Sequence, residues 1–194
     1  MVARDRRKRE QFARMALPHM DRIYTTGLYL TRNREEAEEL LQETFLRAYR
    51  FWHQFTPGTN CKAWLMKILH NTFKNRYRER CREQLMVEFD EALYDQYTAV
   101  APRPLQDNPE DIVFSQLLDS EVEAALKSLP VEFLEVVLLV DVHELTYEEA
   151  ASTVECPIGT VRSRLSRGRR LLHEALKDYA RERGYGRRNT YAVR

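Results

Sequence analysis

Six residues between positions 162 and 170 carry the chemistry of a polyanion reader. Val161, Leu165, Gly168 and Leu172 recur at i, i+4, i+7 and i+11, an apolar stripe for a helix to bury. Arg162, Ser163, Ser166, Arg167, Arg169 and Arg170 fall off that stripe, and guanidinium and hydroxyl groups on one helix face can bind phosphates and base edges. A second cluster lies in residues 63–83. There Lys67, His70, Asn71, Lys74, Asn75, Arg76 and Arg78 interleave with Trp64, Leu65, Ile68, Leu69, Thr72 and Phe73. Cations there would hold phosphates and amides could read bases, while the polar loop Phe55-Thr56-Pro57-Gly58-Thr59-Asn60 could accept an unstacked base. Trp64 and Phe73 sit at helical spacing, which favours core positions over stacking platforms.

These residues need helices to position them. Thr146 and Glu149 have capping-box spacing before a short helix, Ala150 and Ala151 let a crossing helix approach, and Pro157 suits the first turn of the next helix. That order is a helix-turn-helix, although a solvated arginine face is the plainer reading of charge alone. Periodicity predicts helices over 12–30, 34–52, 63–83, 112–126, 131–140, 146–154 and 157–183, and no alternating strand pattern appears. The fold class is therefore all-α. Pro102, Pro104 and Pro109 among polar residues mark a flexible linker between two small domains, and the arginine-rich residues 4–9 and the tail beyond Gly184 read as mobile. The boundaries drawn are 1–95 for the first domain, 96–115 for the linker, 116–184 for the helix-turn-helix domain and 185–194 for the tail.

Over 194 residues the net charge is only +1, yet its distribution is uneven. Residues 62–82 hold seven basic side chains against one acid, and 157–194 hold eleven against three. Residues 96–156 hold thirteen acids against two bases. Two basic patches around an acidic middle imply two contacts with a polyanion. Cys61, Cys81 and Cys156 are too few and scattered for a disulfide framework and read as structural thiols. No metal-ligand spacing, catalytic triad or phosphate-cradling glycine loop is evident, so no metal, no cofactor and no enzymatic activity are expected. No apolar run is long enough to span a membrane and the N-terminus is charged, so a cytoplasmic location without membrane insertion is expected.

In residues 34–52, Leu40, Leu41, Thr44, Phe45 and Ala48 form an inward stripe and leave Glu35, Glu36, Glu39, Gln42, Glu43 and Arg47 outside. Taken alone, that face is a solvated acidic surface. Together, Glu39-Leu40-Leu41-Gln42-Glu43-Thr44-Phe45, then Trp64-Leu65 with Asn71-Thr72 and Asn75, then Pro157-Ile158-Gly159-Thr160-Val161-Arg162-Ser163-Arg164-Leu165 resemble the extracytoplasmic-function sigma factors of bacterial RNA polymerase. The match covers both domains in order.

The resemblance implies that Glu39, Gln42 and Glu43 dock on the clamp helices of the polymerase largest subunit, with a second contact at its flap region. It implies that Thr56, Thr59, Asn60, Lys67, Asn71, Lys74, Asn75, Arg76 and Arg78 serve recognition and melting of the minus-ten promoter element, with the 56–60 loop holding a flipped base. It assigns Arg162, Ser163, Ser166 and Arg167 to bases of the minus-thirty-five element and Thr160, Arg164 and Arg169 to its phosphates. Ser166 departs from a family pattern that carries a bulky aromatic there. Asp107, Glu110 and Asp111 of the linker would mimic RNA in the polymerase channel, the alternative being a passive spacer. An anti-sigma factor is implied as a further partner. Two rival readings are a stand-alone helix-turn-helix regulator and a metal-dependent nuclease, for which the acids within 62–82 are too few.

Overall fold

The computed structural model of the protein describes residues 2–85 and 120–184, and no strand occurs among them. The expected linker, its acids Asp107, Glu110 and Asp111, and the tail lie outside the described residues. The first domain holds α1 (Val2–Ala16), α2 (Met20–Thr31), α3 (Arg34–Arg50) and α4 (Cys61–Leu85). Two predicted features of its start are corrected. Residues 4–9 lie inside α1, and the single helix expected over 12–30 is broken by a 3-10 turn, Leu17–His19. Pro18 explains the break, since it lacks the N–H that a continuous helix would bond and its ring crowds the preceding turn.

Local chemistry accounts for the remaining boundaries. Arg32 ends α2 in the left-handed conformation at φ 54°. Asn33 then caps α3 by accepting from the Glu36 N–H, with Glu35 and Glu36 in the first turn where the helix dipole favours anions. After α3, a 3-10 turn Trp52–Gln54 leads into the polar loop. Ala37, Leu40, Thr44 and Ala48 are the buried stripe of α3, with Leu41 and Phe45 half-buried against the same core. They meet Ile23 of α2 and Leu65, Met66 and Leu69 of α4. Trp64 and Phe73 both pack against this core, as their spacing suggests, and Trp64 lies edge-on to Trp52 at 5.7 Å.

The second domain holds α5 (Ser120–Ser128), α6 (Val131–Val137), α7 (Tyr147–Val154) and α8 (Ile158–Glu182). Helix α6 runs on into a π-helical turn, Leu138–Val142, closed by the bond from His143 N–H to the Leu138 carbonyl. Both halves of the capping box are present on α7: Thr146 Oγ1 accepts from Glu149 N at 3.1 Å, and Glu149 Oε2 accepts from Thr146 N at 2.9 Å. Val161, Leu165 and Gly168 of α8 are buried. Gly168 is needed there because a Cβ would stand 2.8 Å from Val137 Cγ2 and 3.4 Å from Phe133 Cβ.

Several polar contacts cross the seam where the domains touch. Arg32 donates to the Leu129 carbonyl at 2.9 Å, Thr26 Oγ1 meets His143 Nε2 at 2.6 Å, and Lys62 donates to the His143 carbonyl. Burial, aided by the charges of Lys62 and Arg22, pushes His143 down to about 4, so the ring is neutral there.

The close approach of α8 to α6 can be tested at two glycines. Gly168→Val should lower unfolding free energy by about 1–3 kcal/mol through overpacking. Gly159→Ala, whose Cβ would meet nothing within 4 Å, should be neutral or stabilising by up to about 1 kcal/mol. Urea denaturation of the two variants measures both.

Candidate nucleic-acid interface

Helix α4 presents the expected polar row, and most of that row is in contact with the second domain. Asn60 accepts from Ala63 N at 3.2 Å at the start of the helix, and its amide donates to Glu149 Oε1 at 2.8 Å. Lys67 reaches Ser152 Oγ at 3.2 Å, and Lys74 reaches Glu155 Oε2 at 3.4 Å. Glu155 also accepts from Asn71, and the Lys74 bond holds its carboxyl below the usual range. Asn75 and Arg78 are exposed. In the loop before α4, Thr59 Oγ1 donates to the Thr56 carbonyl at 2.8 Å, and Gly58 takes φ 91°, a left-handed conformation that suits glycine. Thr56, Thr59 and Asn60 are exposed on this loop, within one turn of the α4 row.

Arg76 stands apart from the other residues expected at the minus-ten element. It points toward α3, with Nε 2.7 Å from Glu43 Oε2 and Nη1 3.2 Å from Glu39 Oε2. Arg80 does the same toward Glu36 at 2.7 Å, and Arg47 closes on Glu43 Oε1 at 2.6 Å. The face carrying Glu39, Gln42 and Glu43 is thus an interlaced ion-pair network in which Arg76 Nε and Nη1 orient one carboxylate each. Leu46, 71% exposed on the same side of α3, was not singled out in the sequence, although an apolar residue outside the inward stripe is a readable signal. His70 is the other residue without an assigned role: its Nδ1 faces the Glu135 carboxylate in a buried pair across the seam.

On the helix-turn-helix, Arg162, Ser163, Ser166, Arg167 and Arg170 are exposed along α8. The Arg162 guanidinium lies 5.6 Å above the Tyr147 ring, a stacking that fixes its direction. Thr160 is half-buried and its carbonyl accepts from Ser163 Oγ at 3.0 Å. Two expected phosphate contacts have protein partners: Arg164 pairs with Glu132 at 3.3 Å, and Arg169 grips both oxygens of Asp141 at 3.1 and 2.6 Å. Arg169 is still exposed enough to exchange that partner, whereas Arg162 and Arg167 meet no carboxylate among the described residues.

Burial pushes the Cys61 thiol up to about 11, which makes it a poor nucleophile, and Cys156 is half-buried. The side chain of Cys81 lies outside the described residues. Among the described residues no three His, Cys, Asp or Glu side chains group to hold a metal ion, and no helix is long and apolar enough to cross a membrane.

These two surfaces coincide with two family models: Sigma-70 region 2 matches residues 15–83 and Sigma-70 region 4 matches residues 119–172. The chain is 40% identical over 165 residues to the ECF RNA polymerase sigma factor SigE of Mycolicibacterium smegmatis, a match covering 84% of this chain and 61% of that relative. It thus spans less than two thirds of that relative's length. It is 36% identical over 150 residues to the ECF RNA polymerase sigma factor EcfG of Rhodopseudomonas palustris, covering 77% of this chain and 76% of the relative. Among solved structures, the sigma factor RpoE of Bartonella quintana, crystallised with the anti-sigma factor NepR, superposes with a TM-score of 0.66 at 31% identity, covering 87% of this chain and 98% of that one. With matched regions 2 and 4 in order and relatives of this identity, the chain belongs to the extracytoplasmic-function group of the sigma-70 family.

Proposed function

We propose that the protein binds core RNA polymerase and directs promoter-specific transcription initiation, acting in the cytoplasm through binding and not through catalysis. The observation that carries this reading is the conjunction of an acidic-amide face on α3, a cation-amide row on α4 and an exposed arginine-serine face on α8. Residues 1–95 dock on the clamp helices through Glu39, Gln42 and Glu43, and engage the minus-ten element through Thr56, Thr59, Asn60, Lys67, Asn71, Lys74, Asn75 and Arg78. Residues 116–184 meet the flap region and place α8 in the major groove of the minus-thirty-five element, with 96–115 connecting the two. An acidic face against basic helices is charge-complementary, and capture of an unstacked base offsets the few kcal/mol of opening a pair without any enzyme active site. The stand-alone regulator reading has no use for an α3 face built this way.

Arg76 belongs to the docking face in this reading. Its bonds to Glu39 and Glu43 preorganise both carboxylates for a basic partner and lower the cost of ordering them on binding. The solved relative that carries an anti-sigma factor supports the same class of inhibitor here.

Run-off transcription tests the function. Purified core polymerase should give promoter-dependent transcripts from a genomic library pool only when the protein is added, and absence of transcripts from every pool would reject the proposal. Charge reversal of Glu39 and Glu43 together should weaken core binding, and Arg76→Ala should weaken it by a smaller factor, about threefold to tenfold, through loss of charge-assisted bonds. Arg78→Ala should leave core affinity unchanged; surface plasmon resonance on immobilised core separates the three. Arg167→Ala should relax selection at one position of the upstream element by about 1–3 kcal/mol. Selection from a randomised duplex library reads that out, and equal weakening on all sequences would make Arg167 a phosphate contact.

A further inference from the structure

The arginine-rich start of the chain has no part in the surfaces described above, and it precedes the Sigma-70 region 2 match, which begins at residue 15. Folded as α1, it sorts its charges by helical rotation. Phe12 and Ala16 are buried, and Phe12 stands edge-on to Phe45, Tyr49 and Trp52 at 6.2, 5.2 and 5.2 Å. Lys8 lies 4.3 Å over the Tyr49 ring. Together these contacts fix the rotation of α1 about its own axis, which defines its outer face as well.

That outer face carries Arg7, Gln11 and Arg14 at i, i+4 and i+7, all three exposed. Lys67, Asn71 and Lys74 of α4 repeat the same order of cation, amide and cation at the same spacing. A charge run on a helix is ordinarily solvated and no more. Here, however, residues 6–16 hold five basic side chains and a single acid, Glu10, whose carboxylate is taken by Arg6 at 2.9 Å. Arg7 and Arg14 meet no carboxylate among the described residues. The place of the helix matters too. Trp52, which touches Phe12, stacks on Phe55 at 4.8 Å, and Phe55 leads into the 56–60 loop. A single layer of rings therefore joins α1 to the loop assigned to an unstacked base.

We propose that Arg7, Gln11 and Arg14 form a third nucleic-acid contact, which takes single-stranded DNA next to the 56–60 loop. The guanidinium groups hold phosphates and the Gln11 amide meets an unpaired base edge. At 1.5 Å per residue the row is about 10 Å long, roughly two or three nucleotides of a strand. An amide between two cations suits a single strand, whose base edges are open, better than a duplex backbone, which offers phosphates alone. The proposal rests on the reading of that loop as the one that captures a melted strand.

The full chain is tested as wild type, as Arg7→Gln with Arg14→Gln, and as Gln11→Glu, which gives both arginines a carboxylate at i+4 and i−3 without removing them. The control is Arg34→Gln with Lys127→Gln, the same loss of charge at two cations already paired with Glu38 and Glu123. Fluorescence anisotropy across a potassium chloride series gives the dependence of log K on log salt for a short random single-stranded DNA pool and for a random duplex pool. On single strands the slope of the arginine double variant should fall in magnitude by about 1.4, or about 0.7 for each lost phosphate contact. Its slope on duplex should stay as in the wild type, and the control should be unchanged on both. Gln11→Glu should lower the single-strand slope with both arginines in place, and it decides the matter alone if far-UV circular dichroism shows that the double variant has lost helix. An unchanged single-strand slope, an equal fall for the control, or a fall on duplex as large as on single strands overturns the proposal. No polymerase is present in these titrations, so a failed run-off assay would count against the sigma reading without being confused with these outcomes.

Discussion

Helix α4 has one circumference to divide among the core, the second domain and α3, and the rest of the structure follows from that division. Leu65, Leu69 and Thr72 enter the core at i, i+4 and i+7. Lys67, Asn71 and Lys74 repeat the same spacing two residues on and face the second domain. Arg76 and Arg80, one turn apart, face α3. Three stripes share one cylinder, with Asn75 and Arg78 among the residues left exposed between them. A shift of α4 by a single residue would put His70 or Asn71 into a core position and withdraw Arg76 and Arg80 from the glutamates, so the register of this helix sets the acidic face and the cationic row together.

That division also explains what could be read in advance. The order of helices, the capping box at Thr146 and Glu149, the buried stripe of α3 and the inward position of Gly168 are local or periodic features, and each is visible in a linear pattern, whereas the need for so small a residue at 168 comes from Val137 and Phe133 on another helix. Pro18 was equally visible, but apolar periodicity on both sides of it masked the break. The role of Arg76 was not accessible in this way. Seven cations between 62 and 82 form one patch when charge is summed along the chain, whereas helical rotation deals them to different neighbours. The His70–Glu135 pair joins positions 65 apart with no local signature at either end.

The helix-turn-helix shows the same sorting among its arginines. Arg164 and Arg169 are held by Glu132 and Asp141, and Arg162 lies over Tyr147. Exposed ion pairs of this kind contribute little to stability. Their effect is to hold long side chains in place along α8, so that the face turned to solvent has a defined pattern of donors before any ligand arrives.

The π-helical turn at Leu138–Val142 carries a consequence for how this domain can vary. One extra residue in the turn advances the helix by about 100° relative to an α-helical path. That rotation lets the same short segment send Asp141 to Arg169 on one side and His143 to Thr26 and Lys62 on the other. Deleting one residue would make the helix more regular and its backbone bonds more ordinary. It would also swing Asp141 and His143 together by about 100° relative to the helix before them, away from Arg169 on one side and Thr26 and Lys62 on the other. Length at this turn is therefore under tighter restraint than residue identity, and a drifting sequence could change its side chains here far more readily than it could lose a residue.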